Sequence, residues 1–183
     1  MSGQAAGFEA LLPFRRNPLR DAAGEAYRLV VEQSRRPEFF TVLGVPDTLD
    51  GRFELICLHA FLYLRRLKGE NPPAAALAQT FVDLMITDFD RSLREIGTGD
   101  LSVGRQVKRM AEGFYGRVRA YDGGLAGDDE GLSAALARNL YGTAEAAPEQ
   151  LMRMCAFLRR EVADLAAQAH GELIAGRVRF GAP

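Results

Sequence analysis

Several features that would reveal a function directly are scarce in this sequence. The formal net charge of the 183-residue chain is -1, so no strong field of one sign points to nucleic acid or to an acidic membrane. The chain has two cysteines and two histidines. All four lie far apart in sequence, a spacing that predicts neither a disulfide framework nor a metal site. We therefore expect a protein of a reducing compartment, with no metal, no cofactor and no DNA partner.

Long hydrophobic runs are also lacking. The longest apolar run is about half of the roughly 20 residues that a membrane span needs, so no transmembrane helix is predicted. The first 20 residues combine apolar and arginine side chains and could lie on a membrane surface. We favour a flexible arm interrupted by Pro13 and Pro18. The predicted location is cytoplasmic, with peripheral contact on the inner face of the cytoplasmic membrane as a further expectation.

What the sequence does contain is helical periodicity. Almost every segment after residue 20 repeats its apolar residues with a period near 3.6, and strand patterns are nearly absent. We predict an all-α fold, a single-domain helical bundle of about six to seven helices. Its domain would cover residues 21–176, between the arm 1–20 and a C-terminal tail 177–183. The main helices are expected at about 21–35, 50–68, 73–96, 102–122, 128–141 and 148–175.

The connections and the last helix add three expectations. A short helical turn should follow Pro37 and pack Phe39, Phe40, Val42 and Leu43 inward. Glycines should form a flexible joint, and these are Gly123, Gly124 and Gly127. The last helix has an apolar face that would close the bundle or dock on a second subunit, with bundle closure favoured. That face comprises Leu151, Cys155, Leu158, Val162, Leu165, Ala169 and Leu173.

The stretch GVPDTLDGRFEL, residues 44–55, poses a choice between catalysis and structure. Asp47 and Asp50 could form a catalytic loop beside His59. Alternatively, Thr48 or Asp50 caps the following helix, where a carboxylate also suits the helix dipole. That helix is apolar all round, which is typical of a buried helix. We favour capping, and we interpret His59 as a core histidine bonded to a neighbour, because no serine or cysteine nucleophile is placed to meet it.

The segment TFVDLMITDFDRSLREI, residues 80–96, places Asp88 within an apolar stripe. A buried carboxylate needs a partner, and we expect one from Lys108, Arg109 or Arg117. All-α isoprenoid synthases also use helical aspartates to hold Mg²⁺ and diphosphate. A Mg²⁺-dependent enzyme acting on a diphosphate or lipid through Asp83, Asp88 and Asp90 is therefore an alternative, although only one helix qualifies.

The segment VGRQVKRMAEGFYGRVRAY, residues 103–121, has one apolar and one basic face. The basic face could meet RNA, lipid headgroups or an acidic partner, or it could simply be solvated.

Two long stretches resemble a known family. They are YRLVVEQSRRPEFFTVLGVPDTLDGRFELICLHAFLYLRRL and FVDLMITDFDRSLREIGTGDLSVGRQVKRMAEGFYGRVRAY. Together they resemble the ubiquinol–cytochrome c chaperone family from about Tyr27 to about Tyr141. The resemblance implies an all-α, non-catalytic assembly chaperone of respiratory complex III that binds newly made cytochrome b. A small partner subunit and the ribosome are further implied partners. A holder of a membrane protein needs an apolar groove with a polar rim, and the candidate lining residues are Phe114, Tyr115 and Tyr121.

The resemblance carries over positions without a catalytic motif. The positions that we assign to partner binding are Asp90, Arg91, Arg94, Lys108, Arg109, Tyr115, Arg117 and Tyr121. The positions that we assign to structure or capping are Asp47, Thr48, Asp50, His59 and Asp88. A helical adaptor that dimerises through its last helix is a further alternative.

Overall fold

The computed structural model describes residues 17–69, 72–97, 99–142 and 144–183, and regular structure within them is helical. The all-α fold is therefore confirmed. The helices are α1 Pro18–Ser34, α2 Glu38–Thr41, α3 Leu49–Leu67, α4 Pro72–Glu95, α5 Asp100–Ala126, α6 Asp129–Leu136, α7 Pro148–Ala167 and α8 His170–Ile174, and a π-helical turn Ala137–Tyr141 follows α6.

The start of α1 differs from the sequence expectation. The Asn17 side chain accepts hydrogen bonds from the backbone N–H groups of Leu19 and Arg20, at 3.2 and 3.3 Å. Pro18 occupies the first turn of α1, where its missing N–H costs nothing. The predicted arm was to end at residue 20, but α1 already begins at Pro18. Residues 1–16 of that arm lie outside the described residues.

Helix α3 lies at the centre of the bundle. It packs against α1, α4, α5, α7 and the π-helical turn. Leu55, Leu58 and Phe61 are at most 1% exposed. A helix whose apolar residues point in all directions needs partners on all sides, and α3 has them.

The 44–55 stretch forms the entrance to α3. Thr48 Oγ1 accepts a hydrogen bond from the backbone N–H of Gly51 at 3.1 Å. Asp50 lies in the first turn of α3. Asp47 pairs with Arg52 at 2.7 Å on the surface. Neither aspartate bonds to His59, which is fully buried. The sequence predicted no serine beside this histidine, but Ser34 Oγ lies 3.0 Å from His59 Nδ1 within the core.

Two sequence expectations about connections are only partly correct. Phe39 and Leu43 are buried and Phe40 packs against the core, as expected, whereas Val42 is 48% exposed. Of the three glycines expected to form a joint, Gly127 lies in the connection between α5 and α6, whereas Gly123 and Gly124 continue α5 as helical residues. Gly124 instead permits close packing with α6, since a Cβ there would lie 2.8 Å from the Cα of Leu132.

The predicted last helix is interrupted. Helix α7 ends at Ala167, where Gln168 adopts an extended conformation, and α8 follows. Arg66 of α3 donates to the carbonyl oxygens of Leu165 and Gln168 at 3.0 and 3.4 Å, which satisfies acceptors at the end of α7.

The apolar face of α7 and α8 closes the bundle. Its members Cys155, Leu158, Leu165 and Leu173 are at most 3% exposed within the chain itself. A dimerising adaptor would need this face free, so the structure removes the surface on which that alternative depended.

Candidate functional site

An apolar groove lies between the second half of α3, the first half of α4 and the second half of α5. It encloses about 450 Å³. Phe61 and Phe114 form its floor, each only 1% exposed. The remaining lining residues are Leu64, Arg65, Leu67, Lys68, Gly69, Ala75, Ala78, Gln79, Val82, Tyr115, Val118 and Asp122.

Small side chains on α4 help to keep the groove open. Ala75 and Ala78 face it where a larger residue would fill the space between α3 and α5. Tyr115 projects at the edge and is 50% exposed. An aromatic side chain exposed next to an apolar groove is typical of a binding surface, because its ring offers apolar area and its hydroxyl remains in water.

The rim of the groove carries charge at one end. Asp122 of α5 accepts from Arg65 Nε at 3.0 Å and lies 3.6 Å from Lys68 Nζ. Two cations thus share one carboxylate. Ion pairs with this much exposure to solvent contribute little to stability, so Arg65 and Lys68 can exchange Asp122 for an acidic group of a bound partner.

A buried ion pair holds α5 against α3 beside the groove. The guanidinium of Arg117 donates two hydrogen bonds to the carboxylate of Glu54 and lies 5.6 Å above the ring of Phe53. Burial raises the pKa of Glu54, and Arg117 opposes that rise. The same pairing raises the pKa of Arg117. A bidentate pair of this kind is a strong, directional contact between α3 and α5.

Tyr121 lies beneath the groove rather than in it. Its side chain is fully buried, and its ring centroid is 5.6 Å from that of Phe61. Burial raises its pKa. Of the three aromatic residues proposed to line a groove, Phe114 and Tyr115 do so. Tyr121 is inaccessible to a partner, because Phe61 of the groove floor lies against it.

The other partner-binding candidates lie elsewhere. Arg91 and Arg94 are exposed near the end of α4, and Lys108 and Arg109 are exposed in the first half of α5. The groove uses the opposite ends of these two helices. Arg94 pairs with Asp90 at 2.7 Å, which lowers the pKa of Asp90.

The structure corrects the partner expected for Asp88. Its carboxylate accepts a hydrogen bond from the Tyr27 hydroxyl of α1 at 2.8 Å and another from Arg91. The expected partners were Lys108, Arg109 or Arg117. Arg117 pairs with Glu54 instead, and Lys108 lies 3.8 Å from Glu112. The apolar stripe of α4 therefore faces α1 at this point.

The aspartates of the enzyme alternative have separate contacts. Asp83 accepts from Gln79 at 2.8 Å, while Asp88 and Asp90 bond to the residues given above. Over the described part of the chain, no group of three or more potential ligands could hold a metal ion. In the same residues, we find no helix with both the length and the hydrophobicity to cross a membrane.

Sequence patterns did not reveal most of the groove. The walls Leu64, Val82 and Val118 look like ordinary core positions in a helical pattern. Arg65 and Asp122 look like solvated charges. Only a tertiary arrangement decides which partly apolar faces remain uncovered, so no signal in one sequence marks them.

The fold and groove define a helical protein with an apolar binding surface and a charged rim. Residues 41–180 match the family described as ubiquinol–cytochrome c chaperone. The match covers every residue that lines the groove. The chain therefore belongs to the ubiquinol–cytochrome c chaperone family.

Relatives and a solved structure agree with this assignment. The chain is 29% identical to ubiquinol–cytochrome c reductase complex assembly factor 1 of Mus musculus over 97% of its length, which is 60% of the mouse protein. It is 30% identical to the Xenopus laevis counterpart, with 85% of this chain and 78% of that protein covered. The crystal structure of the Cbp3 homolog from Brucella abortus is 37% identical, with a TM-score of 0.81 over 90% of this chain and 91% of that one.

Proposed function

We propose that this protein is an assembly chaperone of respiratory complex III, ubiquinol–cytochrome c reductase, and that its client is newly made cytochrome b. Family membership is the observation that supports this role most directly. The relatives named above are assembly factors of that complex. The chain spans only part of the longer relatives, so their partners are proposals here.

We assign client binding to the groove between α3, α4 and α5. A membrane protein that has not yet assembled exposes apolar segments that need cover from water. The groove offers the floor of Phe61 and Phe114 for that purpose, and Tyr115 at its edge. The rim cations Arg65 and Lys68 suit an acidic residue, or the negative end of a helix dipole, in the bound segment.

This role requires no catalysis and no cofactor of the chaperone's own. It places the protein in the cytoplasm, at the inner face of the membrane that receives cytochrome b. A partner subunit or the ribosome would then approach from the tip of the α4–α5 hairpin, where Arg91, Arg94, Lys108 and Arg109 are exposed.

A gene deletion in the native host tests the function. We expect the redox difference spectrum of the membranes to lose the complex III cytochrome b signal while other cytochromes persist. An unchanged spectrum with normal complex III activity would contradict the chaperone role.

Complementation of the deletion then tests the groove. Tyr115→Asp places a charge at the apolar edge with little cost to folding, because this side chain is half exposed. Met152→Asp is the matched control, since Met152 is an exposed apolar residue of α7 remote from the groove (65% exposed). We expect Tyr115→Asp to restore much less cytochrome b than Met152→Asp. If both variants restored the same amount of cytochrome b, client binding by the groove would be contradicted, but the chaperone role would not be.

A further inference from the structure

The C-terminal residues 177–183 lie extended across the bundle; we call them the strap. The strap is held through its main chain. The side-chain amide of Gln168 donates to the carbonyl oxygen of Arg179 at 2.7 Å and accepts from its N–H at 2.9 Å. Gln168 thus pairs with both backbone groups of one strap residue, as a neighbouring β-strand would.

A second set of bonds holds the next part of the strap. The N–H of Gly181 donates to both carboxylate oxygens of Glu161, at 2.9 and 3.1 Å. The carbonyl oxygen of Gly181 accepts from Gln33 Nε2 at 2.9 Å. Arg160 donates to the carbonyl oxygen of Ala182. Helices α1 and α7 therefore both contribute side chains to a strap-binding cleft.

The side chains of the strap alternate between the cleft and solvent. Arg177 and Arg179 are exposed, whereas Val178 is 2% exposed and Phe180 is partly buried. The ring centroid of Phe180 lies 5.4 Å from that of His59 on α3. The cleft therefore recognises two strap side chains, Val178 and Phe180, which are both apolar and are separated by one residue.

Glycine is the residue that fits after the second apolar residue without a shift of Glu161. A Cβ at position 181 would lie 2.4 Å from Glu161 Oε1. Any larger residue would push away the carboxylate that accepts the backbone N–H. The pattern that fits the cleft is therefore apolar, any residue, apolar, glycine.

The polar groups of the cleft are built into the core. With the strap in place, Glu161 is fully buried, and Gln33 and Gln168 are 6% and 9% exposed. Burial raises the pKa of Glu161. Buried polar side chains need partners, and here the partners are backbone groups of the strap. Such a set of donors and acceptors binds main chain and tolerates many sequences, as in other sites for extended peptides.

We propose that the cleft formed by α1, α3 and α7 is a binding site for extended peptides of the pattern apolar-x-apolar-Gly. The strap is its built-in ligand, and a matching segment of another polypeptide replaces it. Tethering gives the strap an effective concentration on the order of millimolar, so the cleft stays filled until a competitor binds or the strap is weakened. This site is separate from the client groove and does not depend on the proposed function.

The test uses the full chain with a weakened strap. Phe180→Asp places a charge against the aromatic surroundings of His59 and releases the strap, while the cleft side chains remain. The probe is a fluorescein-labelled synthetic peptide with the sequence of residues 177–183. We expect saturable binding by fluorescence anisotropy to the variant, and at least tenfold weaker binding to the unaltered chain, whose cleft is filled.

Two controls define the specificity. A peptide with aspartate in place of both Val178 and Phe180 should not bind. Adding Gln168→Ala to the Phe180→Asp chain should weaken binding of the original peptide. A folded Phe180→Asp chain, helical by circular dichroism, that fails to bind the peptide would refute the proposal. Equal binding by the unaltered chain would refute it as well.

A measurement on the unaltered protein covers the case in which Phe180→Asp does not fold. Native-state hydrogen exchange of the Arg179 and Gly181 amides reports how the strap opens. We expect both amides to exchange at least 100-fold faster than the amides of central α3 residues, through local release of the strap. If both amides exchanged only through global unfolding, the strap would not leave the cleft in the folded protein, and the proposal would fail.

Discussion

The buried His59 makes the stability of this protein depend on pH in a calculable way. Its Nδ1 lies 2.8 Å from the carbonyl oxygen of Leu55 and 3.0 Å from Ser34 Oγ. A carbonyl oxygen only accepts, so Nδ1 carries the proton of the neutral ring. Phe39, Phe157 and Phe180 surround the ring at centroid distances of 5.0, 6.1 and 5.4 Å.

Burial lowers the pKa of His59 from 6.5 to about 4. In the unfolded chain the imidazole protonates near pH 6.5, while in the folded chain it stays neutral down to about pH 4. The unfolded state therefore binds more protons between these values, and stability falls as the pH falls through this window. The loss attributable to His59 is about 2 kcal/mol between pH 7 and pH 5, and about 3 kcal/mol once the window is passed.

Two carboxyl groups contribute with the opposite sign. Burial raises the pKa of Glu54 and of Glu161, so their contribution to stability is present at low pH and is lost as the pH rises. The total pH profile is thus a sum of opposing contributions. A variant that removes only the histidine isolates its share.

The assay compares His59→Gln with the unaltered chain by urea denaturation at several pH values from 7 to 5. Glutamine keeps an N–H donor but does not titrate. We expect the stability difference to shift by about 2 kcal/mol in favour of the variant over this range. Ser34→Ala is the control: it removes the hydroxyl beside Nδ1 but keeps the histidine, so its profile should stay parallel to that of the unaltered chain. Parallel profiles for His59→Gln and the unaltered chain would refute the reasoning.

Two further predictions concern helix packing. Glu54→Ala should destabilise the fold by about 3 kcal/mol in thermal denaturation, because it leaves Arg117 partly buried without its carboxylate. Replacing both Glu54 and Arg117 by leucine should recover much of this loss. A double variant as unstable as Glu54→Ala would contradict this prediction. Gly124→Ala should cost about 1–3 kcal/mol, because its Cβ would clash with the backbone of Leu132. Gly123→Ala is the matched control, because a Cβ at this position would meet open space, and it should be neutral or stabilise the fold by up to about 1 kcal/mol. An equal change in stability for the two glycine variants would argue against the close contact between Gly124 and Leu132.

The sequence predicted those features that follow from local periodicity. The helices and the central position of α3 are predictable from the sequence because apolar residues repeat every three or four positions. The helix ends at Gly69 and Gly97 are predictable as well, because glycine is favoured where a helix ends with a positive φ, and both residues adopt one. These features depend on neighbouring residues along the chain, which the sequence displays.

Features that depend on distant residues were misjudged. The pair Gly123 and Gly124 looked like a joint, although only the approach of α6 explains the need for glycine. Residues 177–183 are expected only as a C-terminal tail, and no pattern in the sequence indicates that Gln33 and Glu161 provide partners for their backbone. Asp88 was expected to meet a cation of α5 and meets Tyr27 of α1 instead. Each of these contacts joins residues far apart in sequence, and periodicity carries no information about which helix will be the neighbour.

The two proposed binding surfaces can be separated because they use different sides of α3. His59, which faces the strap, and Phe61, in the groove floor, are two positions apart, and two residues correspond to about 200° around a helix. The lining residues of the groove and the side chains that bond the strap have no member in common. A change at Tyr115 should therefore leave the exchange of the strap amides unaltered, and a folded Phe180→Asp chain should still complement the gene deletion. If either variant disturbed both readouts, α3 would transmit a change from one side of the bundle to the other, and the two surfaces would have to be treated as one coupled system.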